Sequence, residues 1–175
     1  MKKFIKELIP YIIILVVVVL FRSFIATPVI VKGSSMVPNL KDGEMLILSK
    51  INYKFQDIKR FDVVVLDESK IDSQDDKLII KRIIGLPGEN ISYKDDVLYV
   101  NNKKVEEDYD RDVTIDFDLD DICGCNKIPD NKYLVLGDNR GISKDSRVIG
   151  LVDKDYIKGK AIFRLYPFNK LGTVK

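Results

Sequence analysis

The stretch KLIIKRIIGLPGE, residues 77–89, decides the fold. An apolar, β-branched run surrounds two cations and stops at Gly85 and Pro87, which reads as one short strand. Side chains alternate along a strand, so Ile79, Lys81 and Ile83 share one face, and Ile80, Arg82 and Ile84 the other. Similar runs lie on both sides of it. TPVIVKG (27–33), EMLILSK (44–50) and DVVVLDE (62–68) precede it; YLVLGDN (133–139) and KGKAIFRLYP (158–167) follow. NISYKDDVLYVNNKKVEE (90–107) adds two hairpins, with turns at Asp95-Asp96 and Asn101-Asn102. Only QDIKRF (56–61) and DKDYIK (153–158) read as helical turns. Many strands at close spacing predict a mostly β domain, built as a barrel or as coiled antiparallel sheets.

The chain has 175 residues, enough for one domain with a real core. Lys+Arg 29 against Asp+Glu 27 leaves a net charge of +2, without the basic excess of a nucleic-acid binder. Lys2, Lys3 and Lys6 precede an apolar run from Leu8 to Phe21. A spanning helix needs about 20 residues. If Arg22 snorkels to the interface, Leu8 to Ala26 serve as one span. A cleavable signal peptide would need a small residue where Phe24 stands, so the reading is an uncleaved anchor. The flanking charges put the N-terminus in the cytoplasm. Residues 1–7 are then cytoplasmic, 8–26 cross the membrane and 27–175 lie outside the cytoplasm, with 91–131 as a hairpin-rich acidic insertion.

The insertion carries a dense acidic run, Glu106 to Asp121. Asp116, Asp118 and Asp120 alternate with Ile115, Phe117 and Leu119, the pattern of a strand with a solvated face. A calcium loop is disfavoured, because Asp121 stands where its turn glycine belongs. Cys123 and Cys125 cannot form a disulfide framework, and without histidine they make an incomplete zinc site. Free or transiently oxidised thiols are expected there, and no metal.

The chain has no histidine, so the usual general base of a serine hydrolase is missing. Ser35 lies in GSSMVPNL (33–40), between Gly33 and the turn-forming Pro38. Gly33 would let another backbone approach closely. A desolvated lysine can replace histidine as base. Lys81 is flanked by isoleucines on its own face, and burial of that face would lower its pKa. From an ordinary pKa of about 10.4, only roughly 1 in 2,500 amines is neutral at pH 7, a cost of about 4.6 kcal/mol. A pKa near 8 would recover about 3.3 kcal/mol of it. The run GDNRGISKDSRVIG (137–150) follows a strand end and holds Asp138, Arg140, Ser143, Asp145, Ser146 and Arg147. Each run has an ordinary alternative as well: a Gly-Ser loop, an edge-strand lysine and a polar loop with surface ion pairs.

Together these runs resemble bacterial type I signal peptidase, over nearly the whole chain. The resemblance rests on the anchor, GSSMVPNL, KRFDVVVL (59–66), KRIIGLPGE (81–89) and GDNRGISKDSR, in the family's order. It implies a coiled-sheet catalytic core of the type shared with self-cleaving SOS repressors. It implies Ser35 as nucleophile, Lys81 as general base and Ser143 as the hydroxyl that orients the lysine. Arg82, Asp138, Asp145 and Arg147 would brace the site by ion pairs, with Asp138 and Arg82 as the cross-motif pair. Met36, Leu40 and Ile80 would line shallow pockets for small side chains. The implied reaction is removal of signal peptides after an Ala-x-Ala-like site, without cofactor. The implied partners are preproteins and the lipid bilayer, for a monomer. Gly33 departs from members that place an oxyanion-binding hydroxyl there, and Asn39 replaces the usual threonine. A binding domain without chemistry, or a processing enzyme with one dedicated substrate, are the competing readings.

Overall fold

A computed structural model describes residues 8–15, 26–50, 57–71 and 78–174. Residues 8–15 are helical and exposed. Among the described residues no helix is long and apolar enough to cross a membrane. The rest of the expected anchor, 16–25, lies outside the described residues, and its last residue, Ala26, already opens a strand.

Among the described residues, twelve strands form two antiparallel sheets. The larger holds β1 (Ala26–Ile30), β2 (Met45–Ser49), β3 (Val63–Asp67), β4 (Leu78–Gly85), β9 (Lys132–Leu136), β10 (Val152–Asp153), β11 (Ile157–Tyr166) and β12 (Gly172–Thr173). Its order is β1-β2-β11-β3-β4-β9-β10, with β12 paired to β11. The path is open, with β1 and β10 at its two ends, so the barrel alternative is not what forms. Register shifts along β11 and near Gly85 bend the sheet instead of closing it. The smaller sheet, β7-β6-β5-β8, comes from β5 (Ile91–Lys94), β6 (Val97–Val100), β7 (Lys103–Val105) and β8 (Phe117–Asp118). Its hairpins turn at Asp95-Asp96 and Asn101-Asn102, all four residues at positive φ, as two-residue turns of this kind require.

The two faces of β4 meet different surroundings. Ile80 joins one core cluster with Met36, Leu40, Leu46, Val63 and Val65. Ile84 joins a second, with Tyr93, Leu98 and Leu136, which the smaller sheet shares. Ile83 packs on the opposite face with Ile58, Val64, Leu66 and Val135.

The acidic run is only briefly a strand. After β8 the chain turns into a short helix, α1 (Leu119–Cys123). Asp118 accepts the Asp120 and Asp121 N–H groups while Asp121 reaches back to the Asp118 N–H. That reciprocal cap ends the alternation expected through Asp120. Cys123 and Cys125 are joined in a disulfide, with Cα atoms 5.2 Å apart, which corrects the expectation of free or transiently oxidised thiols. Gly124 between them is left-handed. DKDYIK contains a 3-10 turn at Lys154–Tyr156. The four-residue helix α2 (Ser146–Ile149) has no counterpart among the helical turns expected from sequence.

Candidate active site

Ser35 sits in a turn between β1 and β2 and is half-buried. The turn is held at its base, where the Gly33 N–H donates to Asp42 Oδ1 at 2.7 Å and the Val31 N–H to the Glu44 carbonyl. Gly33 has φ +82, and a Cβ placed there would meet nothing within 4 Å. It therefore supplies a left-handed backbone and not the close approach expected from sequence. Its N–H is engaged with Asp42, away from any oxyanion role in this conformation. Met36 and Leu40, directly after the serine, are 1% and 0% exposed core residues, while Ile80 is 8% exposed.

Lys81 is central in β4 and 3% exposed. Val64 faces it across the strand pair, and Ile79 and Ile83 flank it on its own face. Burial pulls its pKa down to about 8, against the upward pull of Asp145, Glu68 and Asp138 and with help from Arg147. About one amine in ten is then neutral at pH 7, some 250-fold more than for an ordinary lysine. Glu68, itself buried, is a site residue that sequence did not reveal; it sits beyond β3, and nothing in DVVVLDE marks it as facing a lysine.

The loop after β9 brings the pieces together. β4 pairs with β9 so that Arg82 faces Leu136, the last residue of β9; continuing that register by one residue would set Gly137 level with Lys81. A Cβ on Gly137 would lie 2.5 Å from the Ser35 carbonyl oxygen and closer still to Ser143 Oγ. The backbone of Ser35 and the side chain of Ser143 therefore both press on Gly137. Asn139 fastens the two loops, its N–H donating to the Ser35 carbonyl at 3.0 Å and its amide to the Ser34 carbonyl at 3.2 Å. Ser143 Oγ is buried and makes no hydrogen bond among the described residues. A buried hydroxyl left open in this way calls for a partner.

Arg82, on the opposite face from Lys81, forms a bidentate pair with Asp138 at 2.8 and 2.7 Å, with side chains 1% and 0% exposed. The same guanidinium donates to the Phe61 carbonyl and lies 3.9 Å above the Tyr109 ring. Asn39 donates to Asp138 Oδ2 at 2.8 Å, so the residue after Pro38 joins the serine turn to this pair. Asp145 caps α2, accepts the Gly137 N–H at 3.0 Å and binds the Arg147 guanidinium through both oxygens at 2.9 Å. Arg147 also donates to the Arg140 carbonyl. Arg140, one of the residues named in the late run, forms a buried pair at 2.9 Å with Glu107, a partner that sequence did not single out. Among the described residues no group of His, Cys, Asp or Glu could hold a metal ion.

The arrangement offers a hydroxyl turn, a buried amine that gives up its proton easily and a hydroxyl without a partner, with no imidazole. Residues 2–166 match the family described as "Signal peptidase, peptidase S26". The chain is 43% identical over 182 residues to signal peptidase IB of Staphylococcus aureus, covering 94% of this chain and 93% of that protein. It is 40% identical over 170 residues to signal peptidase I of Bacillus caldolyticus, covering 92% and 91%. Its fold is similar to the crystal structure of a signal peptidase I from Enterococcus faecalis, with a TM-score of 0.53 and 32% identity, over 60% of this chain and 97% of that one. The chain belongs to the signal peptidase family, peptidase S26, and is a serine endopeptidase.

Proposed function

We propose that this serine peptidase removes N-terminal signal peptides from exported preproteins with a Ser35–Lys81 dyad. Neutral Lys81 takes the Ser35 Oγ proton as that oxygen attacks the scissile carbonyl. The protonated amine passes its proton to the leaving amino group, and an acyl-enzyme forms on Ser35. Neutral again, Lys81 takes a proton from a water whose oxygen attacks the ester carbonyl; the bond to Ser35 Oγ breaks, the signal peptide leaves as its carboxylate, and the Lys81 ammonium returns the proton to Oγ. Ser143, with its open Oγ, orients the amine. The Arg82–Asp138 and Asp145–Arg147 pairs brace the two loops that carry it. Met36 and Leu40 form the apolar floor beneath the serine turn, and a small substrate side chain would meet Ile80 first.

The observation that carries this reading is the convergence on Gly137. The Ser35 backbone and Ser143 Oγ both press on it, and the β4–β9 register, continued by one residue, brings the desolvated Lys81 level with it. The apolar N-terminal run supports a single-pass anchor at residues 8–26, with a cytoplasmic N-terminus and a catalytic domain on the extracytoplasmic side. The nine residue steps from Ala26 to Ser35 reach at most about 30 Å, which keeps the site near the bilayer where a signal helix ends. Cleavage follows small residues, and the enzyme works as a monomer without cofactor.

The test is cleavage of a signal-peptide-bearing preprotein by the full chain carrying Ser35→Ala or Lys81→Ala. Both variants lose cleavage, and a serine-reactive penem no longer labels Ser35→Ala. Full activity in either one would end the dyad.

A further inference from the structure

Arg140 belongs to the loop that carries Asp138 and Ser143, yet the smaller sheet and its connections hold its side chain. The guanidinium is 0% exposed. It donates to the Tyr93 hydroxyl at 3.1 Å, to Glu107 Oε1 at 2.9 Å, to the Tyr109 hydroxyl at 2.8 Å and to Thr114 Oγ1. Tyr93 and Tyr109 in turn donate to the same Glu107 oxygen. Burial pushes both phenols well above their usual range, so they stay protonated as donors. Glu107 is 3% exposed and also pairs with Arg111 at 2.7 Å.

One bond of that guanidinium returns to its own loop. Nε donates to the Gly137 carbonyl at 3.0 Å. Gly137 is the residue against which Ser35 and Ser143 converge, one residue past the Arg82–Leu136 pair of the β4–β9 ladder. The same connecting segment reaches the site twice more. The Asp112 N–H donates to the Asp138 carbonyl at 3.0 Å, and Asn39 donates to the Asp110 carbonyl at 2.6 Å.

A buried ion pair of this kind contributes little net stability, because apolar side chains of similar volume would fill the space without the desolvation cost. What it does supply is direction: a planar guanidinium fixed by four partners aims its remaining N–H at one carbonyl. We propose that Arg140, set by Glu107, is a positioning residue for the serine–lysine site, and that the four-stranded insertion is the frame that sets it. Gly137 is held so that the lysine, the serine turn and Ser143 stay in register. The inference rests on the dyad reading above.

The experiment measures preprotein cleavage by the full chain in detergent, per active molecule, with thermal unfolding in parallel. Arg140→Lys keeps the charge and loses the fork; Glu107→Gln keeps the volume and loses the charge. Each lowers kcat at least about tenfold, as displaced catalytic groups do, with KM within about twofold. Val100→Ala is the control: it trims the core of the smaller sheet at β6, lowers the melting temperature and keeps kcat within about twofold. If Arg140→Lys does not fold, Glu107→Gln decides. Unchanged kcat in the folded variants, a rise in KM alone, or a kcat loss that Val100→Ala shares at equal melting temperature would overturn the proposal. Ser35→Ala, run alongside, separates the two ideas, since activity there defeats the dyad itself.

Discussion

The two faces of β4 treat two adjacent cations in opposite ways. Lys81 and Arg82 are both almost fully buried, at 3% and 1% exposure. Arg82 meets a carboxylate in a two-pronged pair, a backbone carbonyl and an aromatic ring. Lys81 meets Val64, Ile79 and Ile83, and its pKa falls to about 8. Burial of a charge resolves either through pairing or through loss of the charge. Here one strand pairs one buried cation and, at the other, lets burial lower the pKa, which on the proposed dyad reading is what makes Lys81 reactive.

Swapping each cation for methionine breaks the comparison most sharply. On the proposed dyad, Lys81→Met removes the base and costs about 10²–10⁴-fold in cleavage rate. It replaces a poorly solvated amine with a similar apolar chain, so denaturant unfolding shows stability unchanged or raised. Arg82→Met strands Asp138 without its partner and costs about 3–5 kcal/mol in the same measurement. Equal stability effects at the two sites would erase the distinction. Gly137→Ala comes next. Its Cβ has no room between Ser143 Oγ and the Ser35 carbonyl. Displacing the serine turn by even part of an ångström lowers kcat by about 10²-fold, while unfolding shows a loss of about 1–3 kcal/mol. The smallest effect sharpens the contrast from outside the site. The Cys123–Cys125 disulfide spans a single residue, so Cys123→Ser with Cys125→Ser costs only about 1–2 kcal/mol by the loop-entropy relation and leaves the cleavage rate unchanged.

Much of this was legible where the relevant physics is local. Period-two alternation assigned Lys81 and Arg82 to opposite faces, and the paired Asp-Asp and Asn-Asn turns fixed the hairpins of the smaller sheet. Sequence was silent where a partner lies far along the chain. Glu107 looked like one more solvated acid, because the Arg140 and Tyr93 that bond to it arrive from elsewhere in the chain. Glu68 was hidden for the same reason. Gly33 was assigned the wrong use, since a glycine in a sequence does not say whether it serves space or dihedral angle. At Asp118 a signal was present and missed: two aspartates three apart form a reciprocal cap, and that local pairing ended the strand sooner than alternation suggested.

The pH dependence of Ser35 acylation, followed with a penem that traps the serine, tests the role of Lys81 most directly. A lysine with its pKa lowered must lose its proton before it can accept one, so the rate climbs with pH through a midpoint near 8 and levels off above it. In Lys81→Met that limb disappears along with most of the rate. A midpoint at the ordinary lysine value of about 10.4, or a limb near 8 that survives Lys81→Met, would show that Lys81 is not the base.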